Sequence, residues 1–143
     1  DFKRFHPSGN LGAKLKTVED LMLTKEKIPF INEVSTMKIA LKIITSKKLG
    51  TLIVRNNRGD TTGIITDGQI RRLVQKNDHL NTLKVKNVMT KNPFKVEKDA
   101  LAIKALSIMN ENKITSLCVF NLKNKKKTIG IIHIHNILEV GIN

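Results

Sequence analysis

The stretch STMKIALKIITSKKLGTLIV, residues 35–54, is echoed by ALAIKALSIMNENKITSLCV, residues 100–119. At an offset of 65 residues, Ala40 falls on Ala105, Leu41 on Leu106 and Ile44 on Met109. Leu49 then falls on Ile114, Leu52 on Leu117 and Val54 on Val119. Met37, Ala40, Leu41 and Ile44 stand at i, i+3, i+4 and i+7, the spacing of one helical face. Ala102, Ala105, Leu106 and Met109 repeat that spacing. Self-similarity at a fixed long period is the mark of a duplicated supersecondary unit.

The repeat extends in both directions. Downstream, TLIV and SLCVF are short β-rich runs, each followed by a polar turn, RNNRGD or NLKNKKK. After a shift to an offset of 67, GIITDGQIRRLV (63–74) falls on GIIHIHNILEVG (130–141), with Gly63 on Gly130 and Ile70 on Ile137. Upstream, VEDLM (18–22) falls on VKNVM (85–89) and IPFINEV on NPFKVEK. The pattern predicts a short strand around FINE and FKVE, a helix, two strands and a second helix, at 67–76 and 134–140 respectively. The predicted fold class is therefore α+β with α/β-like layers: strand-helix-strand-strand-helix, twice. A unit of about 60 residues has little core of its own. A pair related by a pseudo-twofold axis buries both sheets. The expected division is a leading segment 1–17, one unit at 18–80 and a second at 81–143.

Composition narrows the class. Hydrophobic content of 40% supports a compact core, and charged content of 27% a soluble protein. No apolar run reaches the length of a membrane span, and there is no charged-then-apolar leader. The single cysteine, Cys118, lies in the apolar run SLCVF and reads as a buried inert thiol, so the expected compartment is cytoplasmic. The formal charge is +14. That excess raises nucleic acid as a partner. Against it, Lys supplies 21 of 26 positive charges, there is no Trp or Tyr, and the five Phe are scattered. Ile (18) and Asn (14) rise with Lys, which points to a bias of the source genome. LKNKKKT at 122–128 reads as a solvated hairpin loop.

The double plan, with GIIT and GIIH each leading into a helix, resembles the cystathionine-β-synthase-type (CBS) domain in tandem over residues 18–141. The resemblance implies a regulatory module without chemistry of its own, with a cleft between the units that takes adenosine nucleotides or related ligands. The opening HPSGNLG, with PFINE, KKLG, GIITDGQIRR, NKITS and GIIHIHNIL behind it, is similar to the D-arabinose-5-phosphate isomerase family. Its members carry a sugar-isomerase (SIS) domain followed by a CBS pair. They interconvert ribulose 5-phosphate and arabinose 5-phosphate for Kdo and lipopolysaccharide synthesis. The resemblance makes this chain the CBS half plus the tail of a SIS domain. It places His6 on a histidine assigned to catalysis in the longer protein. A group titrating near neutrality suits the ring opening and proton transfer of aldose–ketose interconversion. This chain alone offers His6 no second acid or base, so no activity of its own is expected.

In many adenosine-binding CBS units the run is G-h-h-T-x-x-D, where Thr contacts phosphate and Asp both ribose hydroxyls. Here Thr66 is kept, His133 replaces the second Thr, and the Asp positions are the amides Gln69 and Asn136. A carboxylate only accepts, whereas an amide offers one acceptor and one donor group. The expected ribose contact is therefore weak, and phosphate and base dominate. Asp67 reads either as a ligand contact or as the cap of helix 67–76, a role Thr66 can share. Arg71 and Arg72 can reach a phosphate, or simply face solvent. Thr115 and Ser116 open a strand and can line the cleft. His133 and His135 share a strand face if the strand extends that far. No third ligand accompanies them, so no metal site is assigned.

The leading reading is a ligand-sensing CBS pair that takes a nucleotide or nucleotide-sugar, such as CMP-Kdo, and signals to its SIS domain. It needs no cofactor and assembles as a dimer through apolar faces such as Ile70–Leu73–Val74 and Ile137–Leu138. The alternatives are a ligand-free oligomerisation module and a basic nucleic-acid-binding domain.

Overall fold

The computed structural model describes residues 12–76 and 79–143. In chain order the elements are α1 (Val18–Leu21), β1 (Phe30–Asn32), α2 (Met37–Lys47), β2 (Thr51–Arg55), β3 (Thr61–Thr66), α3 (Asp67–Lys76), α4 (Val85–Val88), β4 (Thr90–Lys91), β5 (Lys95–Glu97), α5 (Ala102–Asn112), β6 (Ser116–Phe120), β7 (Gly130–His133) and α6 (Ile134–Leu138). Short 3-10 turns lie at Lys25–Lys27 and Leu80–Thr82. The strand-helix-strand-strand-helix plan is present twice. α6 stops at Leu138, short of the expected 140.

Two compact units form. The central unit is Glu26–Pro93; the split unit joins the chain up to Lys25 with Phe94–Asn143. In the central unit the sheet order is β1-β2-β3-β4. β1 runs parallel to β2 with Ile31 opposite Val54, and β2 antiparallel to β3 with Leu52 opposite Ile65. The split unit has the order β5-β6-β7, again parallel then antiparallel, with Val96 opposite Val119 and Leu117 opposite Ile132. In both units the parallel pair is joined through a helix, because parallel neighbours need a crossover.

The expected helical faces are the buried ones. Met37, Ala40 and Ile44 are buried with Leu52, Val54 and Ile65, and Leu41 packs partly against them. Ala102, Ala105, Leu106 and Met109 are buried with Leu117, Val119 and Ile132. α2 and α5 end alike: Lys48 (φ 60°) and Lys113 (φ 56°) take left-handed conformations, with N–H groups donating to Ile44 O and Met109 O. Such C-caps satisfy carbonyls left open by the last turn. Cys118 is buried, and that burial pushes its thiol pKa up to about 11. Lys123, Lys125 and Lys126 are exposed, as expected for a solvated loop.

The units in space are not cut where the sequence repeats begin. Residues 18–23 open the first repeat but belong to the split unit: Val18 N–H donates to Ala100 O, and Leu23 exchanges N–H···O bonds with Ile131. The equivalent α4–β4 segment opens the second repeat but belongs to the central unit. There Val85 N–H donates to Ser35 O and β4 pairs with β3. Two glycines explain the fit. A Cβ on Gly130 would lie 2.5 Å from Met22 Sδ and 3.0 Å from Leu23 O. One on Gly63 would lie 2.6 Å from Met89 Sδ and 2.8 Å from Thr90 O. The VEDLM and VKNVM segments thus press a methionine onto a bare backbone, the close approach that glycine within a strand marks.

Candidate functional site

In each unit the third strand runs straight into a helix, and the described candidate residues gather at these two junctions. In the central unit β3 ends at Thr66 and α3 begins at Asp67. Thr66 lies opposite Thr51 across the β2–β3 ladder. Asp67 N–H donates to Gly50 O, which ties the helix start to the loop before β2. In the split unit His133 ends β7 opposite Ser116, and Ile134 N–H donates to Thr115 O. Thr115 is exposed, Ser116 buried, and His133 and Asn136 half-buried.

The first turn of each helix is satisfied by side chains from the candidate set. Thr66 Oγ1 accepts the Gln69 N–H at 3.3 Å. The cap is therefore Thr66, not Asp67, which is the exposed first helical residue. The reason is geometric: the cap belongs to the last extended residue, whose side chain reaches the second or third helical N–H. In the split unit His133 fills that role. His133 Nδ1 accepts the His135 N–H at 3.1 Å, and Asn136 Oδ1 accepts the His133 N–H at 2.9 Å, a reciprocal capping box.

Two further expectations change. His133 and His135 do not share a strand face, because β7 ends at His133 and His135 lies in α6. Their rings instead stack at 4.8 Å with 28° between planes. Gln69, read as a ribose contact, has its Nε2 donating to Val88 O, the last carbonyl of α4. Asn136, the other amide, is occupied by the capping box on its oxygen.

The electrostatics differ between junctions. Over α3 the guanidinium groups of Arg71 and Arg72 approach Gly68: a Cβ there would lie 3.4 Å from Arg72 Nη1 and 4.0 Å from Arg71 Nη2. Both arginines are exposed. At the other junction, burial chiefly, then the neighbouring His135, holds the His133 pKa below its ordinary 6.5. With Nδ1 accepting, the neutral ring carries its proton on Nε2. Among the described residues no three His, Cys, Asp or Glu side chains gather closely enough to hold a metal ion. No described helix is long and apolar enough to cross a membrane. His6 lies outside the described residues.

The sequence reading missed Val88 and the Met22 and Met89 contacts. The signal for the two methionines was Gly63 and Gly130, glycines inside apolar strand patterns; Val88 had none.

Two units of one strand-helix plan make a tandem domain pair, and the comparisons agree. The CBS domain pattern matches residues 18–76 and 85–143, and the chain belongs to that family as a tandem pair. It is 35% identical over 143 residues to "Arabinose 5-phosphate isomerase KdsD" of Salmonella typhi, covering 99% of this chain and 43% of that protein. It is 34% identical to "Uncharacterized protein RP505" of Rickettsia prowazekii (strain Madrid E), covering 100% of this chain and 43% of that protein. The chain thus spans less than half the length of these relatives. A CBS domain-containing protein of unknown function from Bacillus anthracis has the same fold, with a TM-score of 0.77 at 19% identity, covering 92% of this chain and 96% of that one. So does CBSX2 in complex with AMP, with a TM-score of 0.73 at 22% identity, covering 87% and 94%.

Proposed function

We propose that this chain is the regulatory, ligand-sensing CBS pair of an arabinose-5-phosphate isomerase. The observation that carries the proposal is identity of 33–35% across the whole chain with proteins named KdsD. In the longer protein His6 serves the interconversion of ribulose 5-phosphate and arabinose 5-phosphate, within a preceding SIS domain that feeds Kdo and lipopolysaccharide synthesis. The pair binds a nucleotide or nucleotide-sugar, CMP-Kdo among them, and passes its state to that domain in the cytoplasm.

The junctions supply the chemistry for an anion. Thr66 accepts from Gln69 with its oxygen and keeps its O–H proton to donate. Arg71 and Arg72 bring positive charge over the first turn of α3, where helix N–H groups also favour phosphate. His133 Nε2–H is a second donor at the equivalent place, beside Thr115, Ser116, His135 and the Asn136 amide. Among the described junction residues Asp67 is the one carboxylate, suited to a ribose hydroxyl. Titration calorimetry of the 143-residue chain with AMP, ATP and CMP-Kdo tests the reading. Saturable heat with at least one, weakened by Arg71→Ala, supports it; no heat with any leaves the ligand-free oligomerisation module standing.

Self-association belongs to the same proposal. Val74, Leu138 and Val140 are exposed apolar residues and Leu73 is partly buried, whereas Ile70 and Ile137 are buried and take no part. A dimer in sedimentation that Val74→Lys dissociates is the expected outcome.

A further inference from the structure

We propose that His133 is a proton-operated latch on the first turn of α6, closed when its ring is neutral and opened by protonation. This goes beyond ligand binding and needs none. The geometry carries it. His133 Nδ1 accepts the His135 N–H, so the lone pair that holds the turn is the one that takes a proton. A protonated ring has donors at both nitrogens and accepts nothing. It would then face an N–H and leave the helix-start donor without its partner. The stacked His135 ring 4.8 Å away opposes a second charge there. The equivalent latch on α3 is the Thr66 hydroxyl, which does not titrate in this range.

The surroundings leave control to the histidine pair. β6 places Ser116 opposite His133, and Thr115 offers its carbonyl. α1, packed on β7, carries Glu19 and Asp20; they engage Lys98 and the Thr17 cap. α5, packed on α6, carries Lys104 and Glu111, and Glu139 follows α6. Of these groups, His135 is the one whose ring stacks on His133. Burial and that neighbour lower its proton affinity in the folded chain. Between the lowered folded pKa and the ordinary 6.5, the unfolded chain binds more protons. The stabilisation is therefore full above that window and declines as pH falls through it.

The test is NMR on the intact chain between pH 8 and 5. His133 ring shifts are followed beside amide protection of residues 134–138 and 67–76, corrected for intrinsic exchange. His135 amide protection should fall about five-fold, the worth of one N-cap, as the His133 ring protonates. Gln69 amide protection should hold. His133→Thr should fold with a hydroxyl cap and lose the decline, and His135→Ala should keep it. The proposal is overturned if His135 amide protection ignores the His133 titration, if His133→Thr retains the decline, or if His135→Ala abolishes it.

Discussion

The two strand-to-helix junctions, GIITDGQ at 63–69 and GIIHIHN at 130–136, share a frame and differ in chemistry. In both, a glycine strand leads to a capping residue opposite the first residue of the preceding strand. In the central unit the cap is a hydroxyl, and the amide three residues on reaches outward to Val88 O. In the split unit the cap is an imidazole, and the amide turns back to close a capping box. One amide ties its helix to a neighbouring element; the other ties its helix to its own start. The duplication kept the backbone and let the polar contacts diverge, so residues aligned by sequence do different work.

The shared frame should give the largest effects. Gly63→Ala and Gly130→Ala should each destabilise by about 2–3 kcal/mol, because the new methyl meets a methionine and a backbone carbonyl. Denaturant midpoints would read this, and tolerance of either change would break the equivalence of the two approaches. Next comes Gln69→Leu, which removes the donor to Val88 O and should cost about 1–2 kcal/mol. Asn136→Leu should instead loosen α6 locally, seen in amide exchange at residues 133–136. Loss of the caps themselves should cost about 1 kcal/mol each. For Thr66→Ala that loss should be the same at pH 5 and pH 7.5. For His133→Ala it should be present at pH 7.5 and shrink towards pH 5, since the parent ring has already lost its cap there. The smallest change should be Asn136→Asp, within about 0.5 kcal/mol of neutral, because a carboxylate still accepts the His133 N–H. Gln69→Asp should not match it, having no donor for Val88 O.

Much of the fold was legible because apolar periodicity records burial. Met37, Ala40 and Ile44, with Ala102, Ala105 and Met109, gave both core helices, and the offsets of 65 and 67 gave the duplication. What was not legible was which sheet receives the segment before each repeat. VEDLM and VKNVM align with one another, but alignment carries no information about their packing partner. Gly63 and Gly130 marked a close approach without naming Met89 or Met22. The site was legible as a place and less so as a set of roles. The aligned motif put Thr66, Gln69, His133 and Asn136 together in pairs. It could not foretell that Gln69 is committed to Val88, because that bond is set by tertiary packing across 19 residues of sequence.

The central claim is that an anionic ligand is read at these two junctions. Titrating AMP, ATP and CMP-Kdo separately into the isotope-labelled 143-residue chain, while following every amide, tests it most directly. The account predicts saturable shifts for at least one ligand, concentrated at residues 50–51, 66–72, 115–116 and 133–136, with the Thr66→Ala chain showing weaker binding. Shifts confined to the lysine loop at 122–128, or none with any ligand at millimolar concentration, would contradict it.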